Sequence, residues 1–145
     1  MASFIDQWRA PSGKGDILGS SSAPVTLGTS YTAGSTSSPV NIGGHKYFTA
    51  FIYCTDLGGA GRLDVQFEVA ISLASADWTP LQTESVSSGV STLSDYEQQK
   101  AVSGTGLVFA VSLPIRGFRN WRIKMKADAG TPQVYVNFTG SGGPV

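Results

Sequence analysis

Apolar and polar residues alternate along most of the chain after residue 23, as they do in β-strands with one buried and one solvent-facing side. The alternation is most regular in residues 62–73, where one face carries Leu63, Val65, Phe67, Val69, Ile71 and Leu73. Residues 120–127 repeat it, with Trp121, Ile123, Met125 and Ala127 on the apolar face and Arg122, Lys124 and Lys126 on the polar face. Both segments are predicted to be strands.

Two segments, residues 45–55 and 107–115, are apolar in both phases of the alternation. A strand of this kind is covered on both faces, here by its own chain or by a partner. Residues 25–33 and 133–139 are also predicted strands, the second with Val134, Val136 and Phe138 facing inward. Residues 78–87 predict an edge strand, because proline at position 80 has no N–H to donate to a neighbour.

The connections are predicted from turn-forming residues. Residues 56–61, DLGGAG, predict the loop of a hairpin, and residues 116–120 and 128–132 predict further turns. Residues 88–105 leave two alternatives open, a short helix or an extra strand around residues 96–102. About seven or eight strands without a long helical pattern predict an all-β fold, an antiparallel β-sandwich of jelly-roll-like type.

The first 23 residues differ from the rest. Phe4, Ile5 and Trp8 are followed by Gly, Ser and Pro with no sustained periodicity. A disordered terminus is one interpretation. The three large apolar side chains favour instead an extended N-terminal arm that docks on its own domain or on another subunit. The predicted organisation is therefore an arm over residues 1–23 and a sandwich domain over residues 24–145.

Composition narrows the classes of protein further. About a third of the 145 residues are Gly, Ser or Thr, and only 14% are charged, against about 25% in an average domain. With three Glu and five Lys, the chain lacks the content that a coiled coil or helical bundle needs. The 41% hydrophobic content argues against a disordered chain, and the zero net charge against a strongly basic nucleic-acid binder.

Targeting and redox signals are sparse. The longest apolar runs are five residues, at 50–54 and 107–111, whereas a membrane span needs about 20. The first residues carry no apolar segment typical of a secretory signal. Cys54 is the single cysteine, so neither an intrachain disulfide nor a multi-cysteine zinc site is expected.

Catalytic patterns are not found in the sequence. His45 is the one histidine and no G-x-S-x-G motif accompanies the many serines. Cys54 lies within an apolar strand and is expected to be a buried, unreactive thiol. Asp64 and Glu68 share a strand face, but four residues separate their Cα atoms by about 13 Å, too far for a glycosidase pair. No metal-binding motif is present, so no enzyme activity, cofactor or metal is predicted.

Five of the ten basic residues lie between positions 116 and 126. One interpretation is a surface for nucleic acid or another anion. The other is a charge ladder, in which Arg122, Lys124 and Lys126 face Asp64 and Glu68 on a neighbouring strand or across a subunit boundary. Alternation places Trp121 on the opposite face from the three basic residues, which favours the ladder.

Aromatic residues leave a second type of binding site open. Trp8, Trp78, Trp121 and five tyrosines could line a sugar-binding face. The phase of Trp121 places it in the core, and Trp78 lies at the turn where the predicted edge strand begins. Carbohydrate binding is therefore kept as an alternative.

Two stretches carry a resemblance to a known class of proteins. They are DWTPLQTESVS at residues 77–87 and LPIRGFRNWRIKMKADAGTPQVYVNFTGSG at residues 113–142. Together with the arm and the small neutral sandwich, they resemble capsid decoration or cement proteins of tailed bacteriophages, which have a jelly-roll-like fold. The similarity is one of general pattern over residues 24–145.

The resemblance implies a non-catalytic virion protein, made in the host cytoplasm and bound to the outer capsid surface. It implies homodimers or homotrimers that hold neighbouring major capsid subunits together, without direct contact to nucleic acid or membrane. Phe4, Ile5 and Trp8 are then expected to anchor the arm on a neighbouring subunit. Two alternatives stay open: a carbohydrate- or receptor-binding module, and a neck, tail or baseplate component.

Overall fold

Strands account for nearly all regular structure in the computed structural model, which describes residues 14–70, 77–115 and 117–142. Helical geometry is confined to short 3-10 turns in these ranges, of which Ala33–Ser35 is a complete one. The strands are β1 Lys14–Leu18, β2 Val25–Thr26, β3 Val40–Asn41, β4 Tyr47–Asp56, β5 Arg62–Ala70, β6 Thr79–Pro80, β7 Gln82–Ser87, β8 Val90–Asp95, β9 Gln98–Ala101, β10 Gly106–Pro114, β11 Asn120–Ala127 and β12 Gln133–Ser141.

The strands form two antiparallel sheets and one separate ribbon. In the first sheet the order is β1-β12-β4-β10, and β2 also pairs with β12. In the second sheet the order is β3-β11-β5-β6, and β9 also pairs with β5. Strands β7 and β8 pair only with each other in the described part of the chain. The predicted all-β antiparallel sandwich is confirmed.

The pairing also confirms the jelly-roll-like topology. Strand β1 pairs with β12, β3 with β11, β4 with β10 and β5 with β9, so the chain folds back on itself as one long rolled hairpin. Successive long strands change sheet, which is the arrangement of a double-sheet jelly roll. The β7–β8 ribbon lies between β5 and β9 in the chain and therefore extends from the tip of this rolled hairpin.

The core lies between the two sheets and is joined by aromatic contacts. Phe48 of β4 stacks on Trp121 of β11 with ring centroids 5.1 Å apart, and it meets Phe67 of β5 edge to face at 5.7 Å. All three side chains are fully buried. Such rings bury large apolar areas, and aromatic pairs add about 0.5–1.5 kcal/mol beyond that burial. The apolar side chains of β5 and β11 thus point into the core, as the alternation predicts.

The predicted hairpin at residues 56–61 is wrong. This segment leaves β4 in the first sheet and enters β5 in the second, so it crosses the sandwich. It packs against another crossing connection, residues 128–132, where Thr131 N–H donates to the Gly58 carbonyl at 3.0 Å. Gly58 has a φ of +55°, which favours glycine. Turn-rich composition is the same for hairpins and for crossings, so only the strand partners distinguish them.

Part of the segment predicted as the arm pairs with a strand of the sandwich. Residues 14–18, assigned to the arm from sequence, form β1 and pair with β12 at the edge of the first sheet. Ile17 and Leu18 are buried there, and their burial holds this segment on the sandwich. Phe4, Ile5 and Trp8 lie outside the described residues, as do Ile71 and Leu73 of the predicted strand at 62–73.

Two other segments are resolved into shorter elements. Within residues 25–33 only β2 is a strand, because residues 28–41 then run along the edge of β11: Ala127 N–H donates to the Gly28 carbonyl and Ser37 N–H to the Ile123 carbonyl. Of the two alternatives for residues 88–105, the strand is observed, as β8 and β9. The predicted edge strand at 78–87 is divided between β6 and β7.

Candidate interaction surfaces

The outer face of the second sheet carries the charged residues singled out from sequence. Strand pairing places Arg122 opposite Glu68 and Lys126 opposite Asp64. Arg122 Nε donates to Glu68 Oε1 at 2.7 Å. Asp64 is fully buried and accepts two hydrogen bonds from Arg62 on its own strand, at 2.7 and 3.1 Å. We call this row of five residues, Asp64, Glu68, Arg122, Lys124 and Lys126, the charge ladder.

Two aromatic rings cover the basic side of the charge ladder. The Arg122 guanidinium lies 4.5 Å from the centroid of the Trp78 ring. The ammonium groups of Lys124 and Lys126 lie 5.5 and 4.9 Å from the centroid of Tyr31. Burial, helped by the nearby carboxylates of Glu97 and Asp64, raises the pKa of Tyr31. In the sequence Tyr31 belongs to the predicted strand at residues 25–33 and is one of the five tyrosines considered for sugar binding. Its position over the two lysines depends on the path of residues 28–41 beside β11, which the alternation does not indicate.

Cation–π contacts of this kind use the ring faces that a nucleic-acid base or a sugar would otherwise occupy. Trp78, the residue considered for sugar stacking, is half-buried with Arg122 on one face. Trp121 is in the core, where its indole N–H donates to the Phe118 carbonyl at 2.8 Å. That the charge ladder forms a subunit boundary stays a prediction.

A second surface, which we call the aromatic face, lies on the outside of the first sheet. Tyr53 of β4 and Tyr135 of β12 are cross-strand neighbours whose parallel rings stack at 4.6 Å. Phe51 is half-buried beside them, and Tyr47 and Leu107 are 48% and 55% exposed. The inward phase of β4, by contrast, is almost fully buried. Sequence predicted a strand covered on both sides; within the described residues the outward phase remains partly open.

The third surface is the β7–β8 ribbon. All twelve residues of its two strands are exposed. Val86, Val90 and Leu93 are 67%, 62% and 62% exposed, and Val86 and Leu93 share one face of the ribbon. Ser88 and Gly89 join the strands with φ values of +50° and +77°, the backbone of a tight two-residue hairpin turn.

Groups considered for catalysis are separated from one another. His45 lies in an open cleft of about 400 Å³, together with Lys46 and Arg119, and no carboxylate or cysteine is among its described lining residues. Cys54 is buried on β4, and burial raises the pKa of its thiol. In the part of the chain that the structure describes, no His, Cys, Asp and Glu side chains form a metal-binding group.

None of the described helical residues forms a span long and apolar enough to cross a membrane. A comparison with models of known protein families finds no match to the chain. A search of curated proteins likewise finds no relative of significant similarity.

Proposed function

We propose that the chain is a non-catalytic structural protein of a tailed-bacteriophage virion, which binds the outer capsid surface and links neighbouring major capsid subunits. The role is that of a decoration or cement protein, and it acts through packing surfaces. The resemblance in residues 77–87 and 113–142 supplies the phage assignment. The jelly-roll-like fold supports it at the coarser level of architecture.

The observation that carries a partner-binding role is the β7–β8 ribbon. Isolated two-stranded hairpins are only marginally stable in water. This ribbon nevertheless presents Val86, Val90 and Leu93 to solvent at more than 60% exposure each. A ribbon that extends from the tip of the sandwich with apolar side chains gains stability when a partner covers it. Capsid subunits are the partner that the resemblance implies.

The charge ladder supports a packing role over nucleic-acid binding. Arg122 is engaged by Glu68 and Trp78, and both lysines lie against Tyr31. A phosphate backbone would have to compete with these contacts for the same cations. Direct nucleic-acid binding is therefore not part of the proposal.

A carbohydrate- or receptor-binding role is the second candidate, and the aromatic face favours it. Tyr53 and Tyr135 stack on each other, and Phe51 lies on the same face of β4. The outward phases of β4 and β12 carry no charged side chain, and the adjacent cleft beside Phe51 is lined by Lys14 and Asp16. Glycan-array binding by the full chain, lost in Tyr135→Ala but retained in Trp78→Ala, would support this role and contradict the cement role.

The experiment that tests the proposal counts copies of the chain in particles. Virions of the phage that encodes the chain are purified and studied by quantitative mass spectrometry and cryo-electron microscopy. Density on the outer shell at the copy number of the capsomers supports decoration. A ring of low copy number supports a neck, tail or baseplate component, and absence of the chain from virions overturns the proposal.

The role of Phe4, Ile5 and Trp8 is tested separately, with residues 1–13 deleted. This deletion leaves β1 intact, which starts at Lys14. Loss of capsid occupancy by a folded variant supports the proposed anchors. A triple Ser variant of Phe4, Ile5 and Trp8 keeps the chain length and should give the same loss, whereas unchanged occupancy contradicts the anchoring role.

A further inference from the structure

The edges of the sandwich are protected to very different degrees. Natural sheets discourage edge-to-edge pairing with short edge strands, charges, prolines and bulges. In the second sheet β3 and β6 have two residues each, β6 ends in Pro80, and the four-residue β9 carries Lys100. In the first sheet β1 carries Lys14 and Asp16 and has an irregular register after Asp16.

Strand β10 lacks this protection. It has nine residues, GLVFAVSLP, and none of them is charged. On one side it pairs with β4, and on the other side it pairs with no strand of the described chain. A register shift between Leu107 and Phe109 and the proline at position 114 limit the regular part to residues 109–113. These five residues present an uncharged open edge.

The regular part of β10 is complementary to itself. An antiparallel pair centred on Val111 places Phe109 opposite Leu113 and Ala110 opposite Ser112 of a second copy. Val111 is buried toward the core, and Ala110 and Ser112 are exposed on the outer face, so this register keeps inward side chains with inward ones. Two copies related by a twofold axis satisfy it with no like charges in contact.

We propose that β10 is a dimerisation edge, which pairs antiparallel with β10 of a second copy about Val111. The first sheets of the two copies then form one continuous sheet. Its strand order is β1-β12-β4-β10 in one copy, followed by β10-β4-β12-β1 in the other. The aromatic faces of the two copies lie side by side on it. This inference does not depend on the capsid role, because the pairing is a property of the chain in solution.

Two double variants of the full chain test the pairing and its register. Ala110→Lys with Ser112→Lys places ammonium groups opposite each other at two positions of the seam. Ala110→Lys with Ser112→Glu places opposite charges at the same two positions. Sedimentation equilibrium over about two decades of protein concentration should show dimers for the wild type. The first variant should dimerise at least about tenfold more weakly, and the second about as well as the wild type.

Control measurements separate loss of pairing from loss of folding. Thr139→Lys adds a charge to the outer face of β12, away from the seam, and should leave the dimer unchanged. Circular dichroism should show folded chains for all variants. Hydrogen exchange of the β10 amides in the wild type should slow as the protein concentration rises. This measurement tests the pairing without any substitution. Protection in another strand instead of β10 overturns the proposal.

Two further results would also overturn it. The first is a wild-type chain that stays monomeric at all concentrations, with β10 amides that exchange at a constant rate. That result excludes pairing of β10 with a second copy. Equal weakening by the Lys/Lys and Lys/Glu variants contradicts an antiparallel register about Val111.

Discussion

Arg122 Nε donates a hydrogen bond to Glu68 Oε1 across the β11–β5 pair, at 2.7 Å. The side chains are 24% and 13% exposed, so water screens this ion pair less than one on the open surface. The Trp78 ring, whose centroid lies 4.5 Å from the guanidinium, contributes to the same shielding. The pair therefore contributes to stability more than an exposed pair would.

Glu68→Gln should lower the free energy of unfolding by about 1–2 kcal/mol, since a partly buried cation loses its counter-charge. Urea unfolding at low and high salt measures the loss. Lys100→Gln, on the exposed strand β9, should change it by less than about 0.5 kcal/mol. In a double-mutant cycle, Arg122→Gln combined with Glu68→Gln should cost less than the sum of the two single changes. Additive costs would contradict coupling between these side chains.

Asp128 gives the stability a pH dependence that can be assigned to one residue. Its Oδ1 accepts the N–H groups of Gly61 and Arg62 at 3.0 and 2.9 Å, and these bonds, led by that of Gly61, lower the pKa of Asp128. A lowered pKa stabilises the fold above the ordinary carboxyl pKa of about 3.9. This contribution is lost as the pH falls through the lower folded value.

The wild type should therefore be more stable than Asp128→Asn at about pH 6, and the difference should shrink as the pH falls below the ordinary carboxyl pKa of about 3.9. The amide oxygen of Asn can still accept a hydrogen bond, so the comparison isolates the charge. Urea unfolding of both proteins across this range measures it. A difference that is the same at every pH would show that charge at position 128 does not contribute.

Strands with one face in the core could be predicted from sequence. The alternation in β5 and β11 is regular because Val65 and Met125 lie at fully buried positions while the residues on either side of them are polar or charged. The opposite charges on the two segments also favoured a charge ladder between them, whereas the pairing of Arg122 with Glu68 is set by the register of β11 against β5. The alternation depends on local spacing, which the sequence displays directly.

The remaining features depend on contacts between distant segments. Asp64 is fully buried although its phase points outward, because Arg62 pairs with it and Tyr31 lies over the same face. The crossing at residues 56–61 depends on which sheet accepts β5, and turn composition does not specify that. Val86 and Leu93 are apolar in the sequence but exposed in the structure. The sequence pattern does not indicate which partner would cover them.

The packing of the two crossing connections leads to a prediction about Gly130. Its φ is +71°, and a Cβ at this position would overlap the carbonyl oxygen of Gly58. Gly130→Ala should cost more than about 2 kcal/mol, because backbone strain and a clash add. Gly117 has a similar φ of +82° but open space around it. Gly117→Ala should therefore cost only about 1 kcal/mol, and equal losses of thermal stability would contradict close packing of the two connections.

Substitutions in the β7–β8 ribbon are expected to change partner binding while hardly changing the stability of the fold. Val86 and Leu93 share one face and are more than 60% exposed, so Val86→Ser with Leu93→Ser should change the free energy of unfolding by less than about 0.5 kcal/mol per site. The same double variant should lose most of its occupancy on capsids, because it removes the apolar side chains that a partner would cover. Thermal unfolding and quantitative mass spectrometry of reconstituted particles measure the two effects.

A matched control uses the other face of the ribbon. Ser85→Val with Thr92→Val makes that face more apolar, and this pair lies opposite each other in the same hairpin. Occupancy should stay close to that of the wild type if Val86 and Leu93 form the contact. A capsid occupancy that is unchanged in Val86→Ser with Leu93→Ser would contradict the ribbon as the capsid contact, because the fold and the arm remain intact in that variant.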